Sequence, residues 1–536
     1  MDIHTDTRRK TPYHFGLFRE SYRDEEGRVR HRTRGKLMGL SLEKLVALRE
    51  FVRAGMPQVW GVEKSAVGGS REYGASGSLW GMAKDLGLDR LLYSRREGWV
   101  RYALAMIIGR VVWQGSKLSL VNLWRDTCLW EMVGLGRERP DVDRCYAAMD
   151  ELLSRQGTIE KKLGGGRLSD GCVILYDITR AYMEGGYAGS SLVDFGYSPA
   201  GKRGHKQILV ALLTDKEGCP VGVKVYGGNR SDQTTVADRV QELRGRYGLS
   251  EVIFVGDRGM LTKARLNEVG SGGLKSVTAL RHGQIVSLLT RGVIQMGLFD
   301  ERNIAEVADP DHPAVRYLLC KNPMTAEKEA KTRRALVDKT VAALSKLQSP
   351  KGHRDEQKLA AKVGAVLGKW KMGKFFTWKI EGGHLEFQID PDHVEREEAL
   401  DGCYVVRTDV PKETMTKDEA VACYRRLMHV EQAFRNLKTV LLEIRPVFHH
   451  KDQRIEAHVF ICMLAYWLQW HLIRRLQPLF ENDGAGKQRR WTLDGVLERL
   501  KAIRRQIVRW HGVDCPLTTT PDEEQQYILD LLKVTL

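Results

Sequence analysis

No stretch of this 536-residue sequence approaches the run of about 20 apolar residues that spans a bilayer. The best candidate, Val459 to Leu472, contains Gln469 and His471 and reads as a buried helix following the polar run 451–458. Met1 to Lys10 is polar and charged with no apolar h-region, so no secretory signal is expected and the chain is assigned to the cytoplasm. The nine cysteines are scattered and none forms a C-x-x-C pair, which argues for a reducing compartment and against structural zinc. Internal repeats at solenoid or propeller periods are also absent, leaving consecutive modules.

Hydrophobic residues at 42% and charged residues at 29% are ordinary globular usage and exclude a disordered or low-complexity chain. At roughly 150 residues per domain, the length suggests three to four domains. Lys and Arg number 85 against 68 Asp and Glu, a net +17 that points to a polyanionic partner. With no membrane span, nucleic acid leads over an anionic lipid surface.

The pattern along the chain divides into blocks. Residues 13–37 alternate as a hairpin around Asp24-Glu25-Glu26-Gly27. On its second strand Arg28, Arg30, Arg32 and Arg34 recur every second residue, a basic ribbon suited to a phosphate backbone or to a solvated edge strand. From about 41 to 160 the spacing is helical, as in Trp99 to Trp113. From about 171 to 320 short apolar runs alternate with helical stretches, the pattern of an α/β sheet. Two of those runs, Cys172 to Tyr176 and Val252 to Val255, read as buried strands that finish on an aspartate, Asp177 and the Asp257 of Gly256-Asp257-Arg258-Gly259; a third and fourth, Ile208 to Thr214 and Val221 to Tyr226, flank the turn Asp215 to Gly218. Residues 321–400 resemble an insertion: Lys321 to Ile380 carries fifteen Lys or Arg against five Asp or Glu, helical first and strand-like from Phe375. Thr416-Lys-Asp-Glu419 is a capping box that should start a helix through Lys438, with further helices to the C-terminus.

Strand-end aspartates are common turn formers, but two of them with a third carboxylate make an oxygen-rich site suited to magnesium and phosphoryl transfer. On the 416–438 helix, positions seven apart return to within about 20°, so Tyr424, Glu431 and Lys438 share a stripe, with Arg435 one turn from Glu431. This could be a metal ligand flanked by phosphate-gripping cations, or a solvated Glu–Arg pair.

Tyr424-x2-Leu427-x3-Glu431-x6-Lys438 resembles the Y-x2-R-x3-E-x6-K signature of DDE transposases from a large group of bacterial insertion sequences. The segments Leu-Tyr-Asp177-Ile-Thr, Phe-Gly-Tyr-Ser198, Lys206 to Gly218, Gly228 to Asp232 and Val-Gly-Asp257-Arg-Gly259 are similar in order and spacing over about 170–460, as is the hairpin segment Glu20-Ser-Tyr-Arg23. The resemblance implies an α/β, ribonuclease-H-like catalytic core interrupted by a β-rich insertion, with an N-terminal hairpin-plus-helical DNA-binding region and C-terminal helices. The expected boundaries are 1–165, 166–320, 321–400, 401–475 and 476–536. It further implies Asp177, Asp257 and Glu431 as catalytic metal ligands for two Mg²⁺ ions, with Mn²⁺ able to substitute. The activity implied is cutting of an element's ends and joining of the 3′-hydroxyls to target DNA, by a synaptic homodimer on double-stranded DNA. Candidate DNA contacts are Tyr424, Arg435 and Lys438, the loop Lys202, Arg203 and Lys206, and the ribbon Arg28, Arg30, Arg32 and Arg34. Leu427 departs from the signature arginine, so Arg425, Arg426 or Arg435 has to substitute, geometry favouring Arg435. A junction-resolvase-like nuclease of the same fold and a catalytically silent DNA-binding descendant remain as alternatives. His449, His450 and His458 fit DNA or solvent contacts better than a metal cluster, and Trp370 and Trp378 fit core packing better than stacking on a flipped base.

Overall fold

The computed structural model describes residues 2–6, 13–24, 26–53, 65–95, 97–196, 204–231, 234–256, 275–348, 355–426, 449–481, 483, 490–510 and 513–536. They form two compact units, Met1–Ala148 with Leu468–Leu536, and Met149–Trp467. In the first, strands β1 (Asp2–Asp6), β2 (Tyr13–Arg23) and β3 (Val29–Leu37) make an antiparallel sheet in that order. The β2–β3 turn is closed by Gly27, at φ +76, donating to the Asp24 carbonyl, while the Asp24 carboxylate accepts from the Arg28 amide at 2.8 Å. Strand β4 (Ser65–Glu72) runs into the helix Gly74–Asp85, whose first amides are capped by Glu72. The helix expected from Trp99 to Trp113 is Gly98–Trp113, and it is buried along most of its length.

The second unit is built on a nine-stranded mixed sheet. Its strands are β5 (Cys172–Tyr182), the short β6 (Asp194–Phe195), β7 (Lys206–Asp215), β8 (Pro220–Gly227), β9 (Val252–Gly256), β10 (Lys275–Ala279), β11 (Ala305–Asp309) and β12 (His312–Lys321). After a separate two-stranded sheet of β13 (Phe376–Glu381) and β14 (His384–Ile389), the chain returns as β15 (Cys403–Thr408). The order is β11-β12-β15-β10-β9-β5-β7-β6, with β8 also on β7. Strand β7 runs antiparallel to both β5 and β8, whereas β9 runs parallel to both β5 and β10. All five β9 residues are buried, as the uninterrupted apolar run of a strand with parallel neighbours on both sides requires. Ile174, Tyr176, Leu209, Val221, Leu243 and Phe254 form a core between this sheet and the helix Thr234–Tyr247. The expected β7–β8 hairpin is present, its turn held by the Asp215 carboxylate accepting from the Glu217 and Cys219 amides.

The basic insertion has its own core, in which Leu344, Val363, Phe375 and Leu385 from its two long helices and the β13–β14 hairpin come together. It leaves and re-enters the main sheet at one point, because Lys321 at the end of β12 pairs with Cys403 at the start of β15 and the Asn322 amide donates to the Gly402 carbonyl at 2.9 Å. Removing residues 323–401 would join Asn322 to Gly402, creating the Asn-Gly dipeptide that two-residue hairpin turns prefer. The shortened chain is expected to keep the β12–β15 pairing. Hydrogen exchange reads this directly: loss of amide protection across Leu318, Val405 and Val406 would show that the insertion holds the sheet rather than hanging from it.

The helical C-terminus expected from the sequence needs correction. The apolar helix near 456–475 is found as Asp452–Arg475, and Leu493–Lys501 and Glu523–Leu532 are helical, but between them lie β16 (Arg504–Trp510) and β17 (Val513–Thr518). They form a sheet in the order β17-β16-β4. Ile507, Val508 and Trp510 are strand-favouring residues, and the partner β4 lies more than 430 positions earlier, as in the Arg504–Glu72 pair. No described helix is long and apolar enough to cross a membrane.

Candidate active site

The central parallel pair β5 and β9 leads in sequence toward the first two acids. Their described ladder runs from Cys172 opposite Val252 to Tyr176 opposite Gly256. Asp177 and Asp257 are the next residues of the two strands in sequence; the Asp257 segment lies outside the described residues. Tyr176 is fully buried, stacked obliquely on Phe254 with ring centroids 5.3 Å apart, and its hydroxyl donates to Thr235 at 2.9 Å. The residue before Asp177 is thus anchored in the core by an aromatic contact and a hydrogen bond.

One expectation is corrected here. The first strand does not finish on its aspartate: β5 continues to Tyr182, and the Asp177 backbone pairs with Leu212 of β7. Ile178 and Thr179 are β-branched and Tyr182 is aromatic, so the segment remains strand-favouring against its antiparallel partner β7. Asp177 therefore lies within its strand and not at its end.

The capping box is formed as the sequence suggests. The Thr416 hydroxyl and amide meet the Glu419 carboxylate, both at 2.9 Å, and helix runs over 417–426. Those hydrogen bonds hold the Glu419 carboxyl below its ordinary range. Tyr424 is 5% exposed and Cys423 is buried, which pushes the Cys423 thiol up. Arg425 donates to the Tyr404 hydroxyl of β15 at 3.0 Å, tying the helix to the sheet, while Arg426 is exposed. Leu427, Glu431, Arg435 and Lys438 lie outside the described residues.

The other basic candidates are placed less uniformly. Lys202 and Arg203 lie outside the described residues, and Lys206 opens β7 with its ammonium 5.8 Å from the Phe195 ring centroid. Six positions separate Lys206 from Leu212, the partner of Asp177, which is about 20 Å along the strand. Lys206 therefore cannot reach a phosphate at Asp177. In the first unit the arginine ribbon is matched by acids that the alternation alone does not reveal. Arg34 and Arg32 pair with Glu20 at 2.7 and 3.6 Å, Arg30 with Asp24 at 2.9 Å and Arg28 with Glu26 at 3.3 Å. A bulge at Phe18 and Arg19 shifts the register, so the two-residue alternation of the ribbon is interrupted before Arg34. Hydrogen bonding and charge from Arg34 hold the Glu20 carboxyl low.

Among the features set aside as unremarkable, His449 and His458 lie 5.5 Å apart by ring centroids and His450 is 5.2 Å from Tyr187; no group of three His, Cys, Asp or Glu among the described residues could hold a metal. Trp370 packs against the insertion core, but Trp378 is 40% exposed on β13, so core packing accounts for only the first.

Comparison with known proteins decides the family. The model of the transposase DDE domain matches residues 168–468, more than half of the sequence. The chain belongs to the DDE-domain transposase family. Such enzymes cut DNA and join its strands, so DNA is the substrate class of this transposase. Among solved structures it is similar to the piggyBac transposase in a synaptic complex with hairpin DNA, at 9% identity and a TM-score of 0.33, covering 80% of this chain and 76% of that one. No curated protein matches the chain. The matched region begins just before β5 and ends within the helix Asp452–Arg475, so it takes in the whole nine-stranded sheet and the insertion.

Proposed function

We propose that this transposase is of the bacterial insertion-sequence type, cutting the ends of its element and joining the freed 3′-hydroxyls to target DNA, with Asp177, Asp257 and Glu431 as its catalytic carboxylates. The observation that carries the reading is the parallel β5–β9 register, which sets Tyr176 opposite Gly256, the residues that immediately precede the two aspartates in sequence. We read the strand order β8-β7-β5-β9-β10, three antiparallel strands followed by two parallel ones, as a ribonuclease-H-like core, with β15, β12 and β11 widening the sheet where the insertion enters. Sites in open α/β sheets form outside the carboxyl ends of neighbouring parallel strands, the direction in which β5 and β9 both lead to their aspartates in sequence.

The donor set of three carboxylates is all hard oxygen, which fits Mg²⁺, or Mn²⁺ in its place, and suits neither zinc nor a soft metal. Two such ions, when bound, supply Lewis-acid stabilisation to the attacking and leaving oxygens of an in-line displacement. The protein's own task is positioning. Arg435 and Lys438, near Glu431 on its helical stripe, grip the phosphates beside the scissile bond, with Arg435 serving for the arginine that Leu427 replaces. Tyr424, buried, holds the start of that helix against the sheet. The ribbon Arg28 to Arg34 and the loop Lys202, Arg203 and Lys206 contact DNA away from the chemistry, the ribbon after exchanging its acids for phosphates. Cytoplasmic action as a synaptic homodimer completes the proposal, since joining two ends needs two active sites.

A strand-transfer assay with a pre-cut 3′ end of the element, supplied with Mg²⁺ and supercoiled target, is expected to give joined product. Hydrolysis without joining would make the protein a nuclease of the same fold, and binding without either reaction a silent descendant.

A further inference from the structure

A cavity of about 650 Å³ in the second unit is lined by residues of β10, the helix His282–Thr290, β12 and β15. Its volume is that of a small-molecule site. Thr278 of β10 pairs with Arg407 of β15, and Arg407 pairs in turn with Tyr317 of β12, so these three polar residues form one row across three adjacent strands and share a face of the sheet. Apart from them the lining divides between an apolar part, including Leu280, Leu288 and Val315, and a polar part that includes Arg291, Asp309 and Asp311.

The row is unfinished in its hydrogen bonding. Thr278 is 2% exposed and its hydroxyl has no partner among the described residues, and neither has the buried Nη1 of Arg407. Native proteins rarely leave such groups unpaired, and those left so call for a ligand, an ion or water. The cavity does contain acids, but Arg291 engages both: its Nη2 lies 3.0 Å from Asp309 Oδ1 and also bonds Asp311. Asp309 is fully buried in that pair. Arg407 is therefore the cation in the lining without an ion pair among the described residues, within a lining whose two arginines and two aspartates balance. Burial pushes the Tyr317 phenol up, against the opposing effect of a hydrogen bond from Arg407, and its O–H remains a donor. The floor of the cavity thus presents hydrogen-bond donors, one of them cationic, beside apolar walls and an acidic rim already held by Arg291.

We propose that this cavity binds a phosphate-bearing ligand of nucleotide size, its oxyanion taken by Arg407, Thr278 and Tyr317 after a small swing of the arginine, and its organic part lying against Leu280, Leu288 and Val315. The same phosphate chemistry could come from a free nucleotide or from a nucleotide of DNA. The inference does not depend on the three catalytic carboxylates, and its test reads binding, so its failure leaves the transposase reading intact.

Calorimetric titration of the full chain without metal, using dAMP in one arm and the 5′-phosphorylated dinucleotide pdApdA in the other, tests it. Thr278→Val is nearly isosteric and removes only the hydroxyl; Arg407→Met removes the charge and keeps much of the side-chain length. Saturable binding of either probe that weakens at least about tenfold in Arg407→Met, and measurably in Thr278→Val, supports the proposal. Tighter binding of dAMP points to a free nucleotide, and binding of pdApdA alone to DNA. If Arg407→Met fails to fold, as circular dichroism would show, Thr278→Val decides. No binding of either probe, or equal binding by the wild type and the folded variants, overturns the site.

Discussion

Asp177→Asn, Asp257→Asn and Glu431→Gln are each expected to reduce cleavage of the element's ends by roughly a thousandfold or more, while binding of the same ends changes by no more than about threefold. Each replacement keeps the side chain's size and hydrogen-bonding shape and removes a negative charge, so the loss falls on the group that needs carboxylates. End binding rests on cations spread over a chain of net +17, many of them far in sequence from these three positions. Binding by gel shift and cleavage on labelled ends, run on the same preparations, separate the two effects. If all three variants lose binding in proportion to cleavage, the acids support the fold or the DNA interface and the catalytic assignment fails. Non-additivity supplies a second check: groups that act as a unit cost nearly as much singly as together, so the triple variant should be little worse than any single one.

How much of this was legible beforehand depends on the distance between partners. The β2–β3 turn, the β7–β8 hairpin and the Thr416 cap are closed by residues within a few positions of one another, and their composition announces them. The end of a strand is harder to read, because it is set by its neighbours: β5 runs on past Asp177 to Tyr182 where β7 pairs with it. Strand β16 pairs with its sequence neighbour β17 on one side and with the remote β4 on the other; its apolar Ile507 and Val508 are adjacent, so strand alternation does not announce the pair. The arginine ribbon shows the converse. Its cations are conspicuous in sequence, while the acids that match them, Glu20, Asp24 and Glu26, sit on the first strand and the turn and become partners only when the hairpin closes. The Thr278–Arg407–Tyr317 row joins three strands over some 130 positions, and no spacing rule would have assembled it.

Glu160→Ala is expected to destabilise the second unit by about 3 kcal/mol, the low end of the range for breaking a buried ion pair, because its partner is not fully buried. Glu160 is completely inaccessible, whereas the side chain of Arg246, its ion-pair partner, is 30% exposed. One oxygen of the carboxylate also accepts from the Val223 amide of β8 at 3.0 Å and from the Gln156 side chain at 2.7 Å. The residue therefore joins the helix Gln156–Gly164, the helix Thr234–Tyr247 and the outer antiparallel strand of the core. Truncation leaves the Val223 amide facing a small void without its acceptor, and takes one of two acceptors from the Arg246 guanidinium and the Gln156 carboxamide, which keep Glu242 and the Val223 carbonyl. The double variant Glu160→Met with Arg246→Met removes both charges and refills the space, and it should recover at least half of the loss, since a buried pair replaced by apolar side chains of similar volume is often neutral. Urea denaturation of the wild type, both single variants and the double variant closes the cycle. A loss below about 1 kcal/mol for Glu160→Ala would mean that water or a neighbouring side chain already satisfies these groups. A double variant no better than the single one would mean that the β8 amide, and not the charge, is what the carboxylate serves.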